Sequence, residues 1–292
     1  MRTLALGLAL LSAAGADARD PWSSTQYPQD REKLWWDDAW WERGRIPAPR
    51  NFEVTERESV FRSGGAEVAA SVFRPKEEGT FPVVLFLHGR RGVDELTRLV
   101  PLRLAARGFT VVAPDLYGAR FMGNYPLAHD YAIEDDAAAA IDHALTLPEA
   151  RGQSKICVVS HTRGGYYALK ALVTKKRQQR AACYVSYYPH WQDPNAPEPA
   201  QVYQYAPELD SLGVPVLVFL GEHEQYQRAR PIVAAIDAMR ARNHAAQLVV
   251  YPGVGRGFEF RPKSVRTLAD DLAAQDSLRR ASDFMRAHLG LR

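Results

Sequence analysis

The chain has 292 residues, with 37 Lys and Arg against 34 Asp and Glu, a net charge of +3 and 46% hydrophobic residues. That length is enough for one large domain with a substantial core. The near balance of charge gives no pull toward nucleic acid, and no apolar stretch is long enough to be a membrane span, so neither partner is expected.

Arg2 precedes a short apolar run over 4–11, and Ala14-Gly15-Ala16 and Ala16-Asp17-Ala18 each fit an A-x-A cleavage site. This is the pattern of a secretory signal peptide over 1–18, which predicts a mature chain starting near Asp17 or Arg19 and a periplasmic or secreted protein. The stretch over 19–50 carries Trp22, Trp35, Trp36, Trp40 and Trp41. Trp36 and Trp40 share one face of a helix, an arrangement that reads as indoles packed onto the domain; a protein partner bound through this Trp-rich segment is the alternative. Ile46-Pro47-Ala48-Pro49 marks a linker, and the main domain is expected over 51–292.

From residue 51 the pattern runs strand, turn, strand: 52–61 and 67–73 flank Ser63-Gly64-Gly65, a hairpin signal. Strands and helices then alternate. The expected strands are 83–87, 110–113, 156–160, 183–188, 214–220 and 247–251. The expected helices are 95–107, 132–147, 165–175, 229–242 and 266–289. Near-continuous apolar strands between amphipathic helices predict an α/β fold with a mostly parallel sheet covered on both faces, and the hairpin gives it an antiparallel edge. Cys157 and Cys183 fall in buried strands, where a free thiol behaves as a small hydrophobe; spacing alone does not show whether an exported chain would pair them.

In open α/β sheets, ligands bind beyond the carboxyl ends of the strands, so the residues directly after each strand are the informative ones. After 156–159 comes Ser160-His161-Thr162-Arg163-Gly164-Gly165 and a helix, the form of a nucleophile elbow with Thr162 in the nucleophile slot. Gly221-Glu222-His223-Glu224 follows the strand at 214–220, and Pro252-Gly253-Val254-Gly255-Arg256-Gly257 follows that at 247–251. The chain order nucleophile, acid, histidine of the α/β-hydrolase fold thus falls on Thr162, Glu224 and Arg256.

Taken together, Phe86-Leu87-His88-Gly89, Val112-Ala113-Pro114-Asp115-Leu116-Tyr117-Gly118 and Tyr251-Pro252-Gly253…Gly257-Phe258…Phe260-Arg261-Pro262 resemble the dienelactone hydrolase family over roughly residues 55–290. The resemblance implies an α/β-hydrolase fold and a hydrolase of small carboxylic esters or lactones that needs no metal or other cofactor. It places Cys or Ser at position 162, Asp at 224 and His at 256, and it makes the backbone N–H groups of Arg90 and Arg163 the oxyanion-hole donors. This chain departs at all three triad positions. A β-branched Thr fits a strained elbow poorly. A guanidinium stays protonated, so Arg256 cannot accept the proton of Thr162; it can form a charge-assisted pair with Glu224.

Arg90 and Arg91 follow His88-Gly89, and Arg163 follows the elbow residue, so several guanidinium groups are expected near one pocket. His88, Arg91, His161 and His190 are its further candidate ligand-binding residues. His129 and His223 also stand near the expected site; none of the histidines has the spacing of a metal site. Three functions compete. The first is a pseudo-hydrolase that binds a small anionic ligand or a partner in the former active-site pocket, a carboxylate or an ester being the small molecule expected. The second is a working enzyme with an atypical Thr nucleophile or a non-hydrolytic reaction. The third is an interaction protein that uses its tryptophans.

Overall fold

A computed structural model of the protein describes residues 51–290. The expected signal peptide and Trp-rich segment lie outside the described residues.

Strands β1 (Val54–Ser63) and β2 (Ala66–Pro75) form the antiparallel hairpin. Its turn is Gly64-Gly65, and Gly64 takes a left-handed φ of 56°, which only glycine adopts without cost. The remaining strands are β3 (Val83–Leu87), β4 (Thr110–Pro114), β5 (Ile156–His161), β6 (Ala181–Tyr187), β7 (Val216–Gly221) and β8 (Ala246–Tyr251). One eight-stranded sheet results, in the order β1-β2-β4-β3-β5-β6-β7-β8. It is antiparallel through β2/β4 and parallel from β4 to β8. Every residue of β3, β4 and β5 is buried, which explains why these segments read as unbroken apolar runs rather than alternating ones.

Helices α1 (Glu95–Ala106) and α7 (Leu268–His288) pack on one face. The other carries α2 (Ala132–Thr146), α3 (Gly164–Leu169), the short α4 (Glu198–Tyr203) and α5 (Glu208–Ser211), and α6 (Tyr226–Ala241). Asp94 caps α1 by accepting from Thr97 N at 2.8 Å, and Thr267 with Asp270 forms a capping box on α7. The expected helix over 165–175 is shorter: α3 ends at Leu169 and a π turn covers Lys170–Thr174.

Strand order reverses between β3 and β5. The loops after them leave in opposite directions and open a crevice at the carboxyl edge. The pairing of the two cysteines, which the sequence leaves open, is resolved by the fold. Cys157 and Cys183 are register partners on the neighbouring strands β5 and β6 and form a disulfide; their separation along the chain does not reveal that adjacency.

Candidate active site

The crevice holds a cavity of about 340 Å³. Its floor is the turn between β5 and α3. Thr162 sits there at φ 45°, a left-handed conformation that a β-branched residue adopts at a cost. Its backbone is held on three sides: Thr162 N donates to Tyr187 O at 3.2 Å, while Thr162 O accepts from His190 N at 2.7 Å and Gly165 N at 3.0 Å. Two glycines make the tight turn possible. A Cβ on Gly164 would lie 2.3 Å from Leu87 O, and one on Gly89 would lie 1.9 Å from Thr162 Oγ1. Thr162 Oγ1 therefore faces Gly89. Among the described residues it makes no side-chain hydrogen bond.

Arg90 and Arg163 are the residues next to Gly89 and Thr162, and both line the cavity. Their backbone N–H groups donate to no acceptor among the described residues, which leaves two donors for an anion at this end. Their side chains run to the loop over 121–131. Arg90 Nη2 donates to Tyr125 O at 3.0 Å, and Arg163 Nη1 donates to Pro126 O at 3.1 Å and Ala128 O at 3.4 Å. Arg91 also lines the cavity, donating to the Tyr125 hydroxyl at 2.6 Å and pairing with Asp94.

On the opposite wall, Arg256 Nε donates to Glu224 Oε1 at 3.1 Å. The Glu224 side chain is fully buried behind Arg256, and the same oxygen accepts from Gln225 N at 2.8 Å. The guanidinium of Arg256 also lies over the Tyr188 ring, 5.4 Å from its centre. The pairing of residues 224 and 256 expected from the sequence is thus present, as a carboxylate–guanidinium contact.

The histidines divide. His190 lines the cavity, and its Nε2 is buried without a partner. Burial, reinforced by Arg228, Arg163 and Arg256, holds its imidazole well below the usual histidine range, so the ring is neutral. His88 is corrected as a ligand-binding candidate. It is fully buried, its Nδ1 contacts Gly89 O at 2.8 Å and its Nε2 accepts from Leu116 N at 3.1 Å. With both ring nitrogens occupied it fastens two loops together and does not reach the cavity.

His161 forms part of the floor and packs edge-on to Phe86 and flat against Phe260. Its Nδ1 is 3.2 Å from Oε1 of Glu259, off the axis of a good hydrogen bond; that oxygen also accepts from the Tyr188 hydroxyl. Burial pushes the His161 imidazole down to about 3 and the Glu259 carboxyl up to about 7. The pair is therefore kept neutral under the cavity up to near-neutral pH. A carboxyl with a raised folded pKa contributes stability below its unfolded value, near 4.5, that is lost as pH rises through about 7. Glu259→Gln removes this titration while keeping the neutral shape. Measured by urea unfolding between pH 5 and 8, the variant should gain on the parent as pH rises and level off above about 7.5. A constant difference would show that Glu259 is ionised throughout.

Arg228 and Tyr125 are among the cavity residues that escaped the sequence reading. Arg228, in the first turn of α6, donates to Gln192 Oε1 at 3.3 Å and Gln201 Oε1 at 3.1 Å. Burial, with Arg256, Arg163 and Arg90 nearby, pushes it down to about 10, still a cation at neutral pH. Tyr125 supplies part of the wall. Only the helical turn that Arg228 opens carries any signal, and nothing in the sequence marks its direction. Among the described residues no cluster of three His, Cys, Asp or Glu side chains is arranged to hold a metal ion.

The sequence profile of the dienelactone hydrolase family matches residues 68–289. A relative from Escherichia coli strain K12, named "Putative carboxymethylenebutenolidase", is 26% identical over 227 residues, covering 72% of this chain and 80% of its own. Among solved structures, an esterase of Pyrobaculum calidifontis is similar with a TM-score of 0.61 at 20% identity, covering 80% of this chain and 85% of its own. A bacterial brefeldin A esterase is similar with a TM-score of 0.64 at 17% identity, covering 85% of this chain and 80% of its own. At these identities the solved structures establish the α/β-hydrolase fold.

Proposed function

The chain belongs to the dienelactone hydrolase family, and from that premise we propose that it is a pseudo-hydrolase, whose Thr162, Glu224 and Arg256 stand at the triad positions and whose former active site binds a small anion. One observation carries the reading: the side chain at the histidine position is a guanidinium tied to Glu224 at 3.1 Å, while Thr162 Oγ1 has no hydrogen-bonded base. Among the described residues no base is hydrogen-bonded to Thr162 to take its proton. Binding has what it needs. Arg90, Arg163 and Arg228 line the cavity with neutral oxygens as their hydrogen-bond partners among the described residues; Arg163 is buried and the other two are partly buried, and an anionic ligand stabilises such cations.

Export is part of the same proposal. The signal-peptide pattern over 1–18 motivates it, and the Cys157–Cys183 disulfide supports it, because such bonds persist in oxidising compartments.

The test is binding of benzoate, followed by isothermal calorimetry and thermal shift. Benzoate should raise the melting temperature in a concentration-dependent way, and benzyl alcohol of the same shape should not. Equal shifts from the acid and the alcohol, or none from either, would remove the anion from the proposal.

A further inference from the structure

Among the described residues five guanidinium groups line the cavity, and they are not equivalent. Arg91 has Asp94 and Arg256 has Glu224 as carboxylate partners. Among the described residues, Arg90, Arg163 and Arg228 have only neutral oxygens as hydrogen-bond partners. The cavity therefore carries about three uncompensated positive charges in a partly desolvated space, where each is worth more than in water. A monoanion would neutralise one of them. A compact dianion would neutralise two at a single centre.

The donors also have a shape. The N–H groups of Arg90 and Arg163 lie where Gly89 and Thr162 touch, and the guanidinium groups supply further paired donors. His190 adds a buried, neutral and unpartnered Nε2 on the same cavity. Donors converging from several sides match a tetrahedral centre with three terminal oxygens, and guanidinium forks suit phosphate. On the cavity wall, Tyr125 is half exposed. This is surface for an apolar alcohol moiety.

We propose that the cavity binds the dianionic phosphate group of a phosphate monoester, held by Arg90, Arg163, Arg228 and His190, with an apolar or aromatic alcohol moiety leaving past Tyr125. The proposal rests on the anion-binding reading above and narrows it. It concerns binding: no bond to phosphorus is made or broken.

The test compares four ligands by calorimetry at pH 8. Phenyl phosphate is a dianion, methyl phenyl phosphate is a monoanion with the same tetrahedral centre and ring, succinate is a dianion with separated charges, and benzoate is a monoanion. Phenyl phosphate should bind at least about tenfold tighter than methyl phenyl phosphate. In Arg228→Gln that ratio should fall toward one, with the melting temperature showing that the variant is folded. Equal binding of the two phosphate esters to the unmodified protein would overturn the proposal, as would an unchanged ratio in a folded Arg228→Gln. Tighter binding of succinate would assign the site to dicarboxylates instead. If benzoate binds while the phosphate ratio is one, the anion reading survives and this proposal fails; if none of the four binds, both fail.

Discussion

Arg256→Ala and Glu224→Ala are each expected to lower the unfolding free energy by about 3–5 kcal/mol, the range for breaking one side of a buried ion pair. The double variant should lose much less than the sum of the two. The asymmetry of burial explains why each single loss is large. Glu224 has a fully buried side chain, so removing Arg256 strands a carboxylate away from water. Arg228 lies close enough to Glu224 to offset part of that charge, which places Arg256→Ala at the lower end. Removing Glu224 is the harsher change. Arg256 then joins Arg90, Arg163 and Arg228 as a fourth cation without a carboxylate partner among the described residues, with Arg228 close by. Thr162→Ala should cost under about 1 kcal/mol, because its hydroxyl makes no hydrogen bond among the described residues and its backbone contacts survive the change. Chemical denaturation of the four proteins measures the cycle. Losses that simply add would mean that the 3.1 Å contact contributes nothing to the fold.

How far the sequence shows this site depends on what each element must bury. Strand β3 is legible to the residue because all five of its side chains are interior, so the run Val83–Leu87 has no polar interruption. The elbow is legible because its chemistry is local. Small residues at 160, 164 and 165 are forced by the close approach of strand and helix, and a Cβ at Gly164 would strike the carbonyl of Leu87. The Glu224–Arg256 contact is legible through chain order, since β7 and β8 are neighbours and their end loops must meet.

What is hidden depends on direction and adjacency. Helices α4 and α5 are six and four residues long, too short to display a period. His88 follows a strand at the correct edge, but its ring turns back to the amide of Leu116. Arg228 becomes a cavity residue only through the angle of α6. Sequence spacing says nothing about either orientation.

The parent protein is expected to hydrolyse p-nitrophenyl acetate at a rate barely above buffer, and Thr162→Ser combined with Arg256→His is expected to raise that rate by about 10²–10⁴-fold, the usual contribution of a positioned general base. In the parent, the residue opposite Thr162 is a guanidinium that cannot take a proton at neutral pH. The other cavity histidines do not compensate. His161 is buried and faces Glu259, and His190 is held neutral among cations, with no hydrogen bond to Thr162 Oγ1. Other parts of the proposed acyl-transfer site are at hand. Among the described residues the N–H groups of Arg90 and Arg163 are unengaged, and Glu224 lies behind position 256, where it can orient an imidazole and stabilise its protonated form. Serine removes the methyl group that crowds the nucleophilic oxygen and lessens the strain of φ 45°. Each change alone should do little, because a base without an accessible nucleophile, or the reverse, completes no relay. The decisive measurement is the steady-state rate of the four proteins, each shown to be folded. Substantial hydrolysis by the parent that disappears in Thr162→Ala would sink the pseudo-hydrolase reading. A folded double variant with no gain would show that the site has lost more than its base.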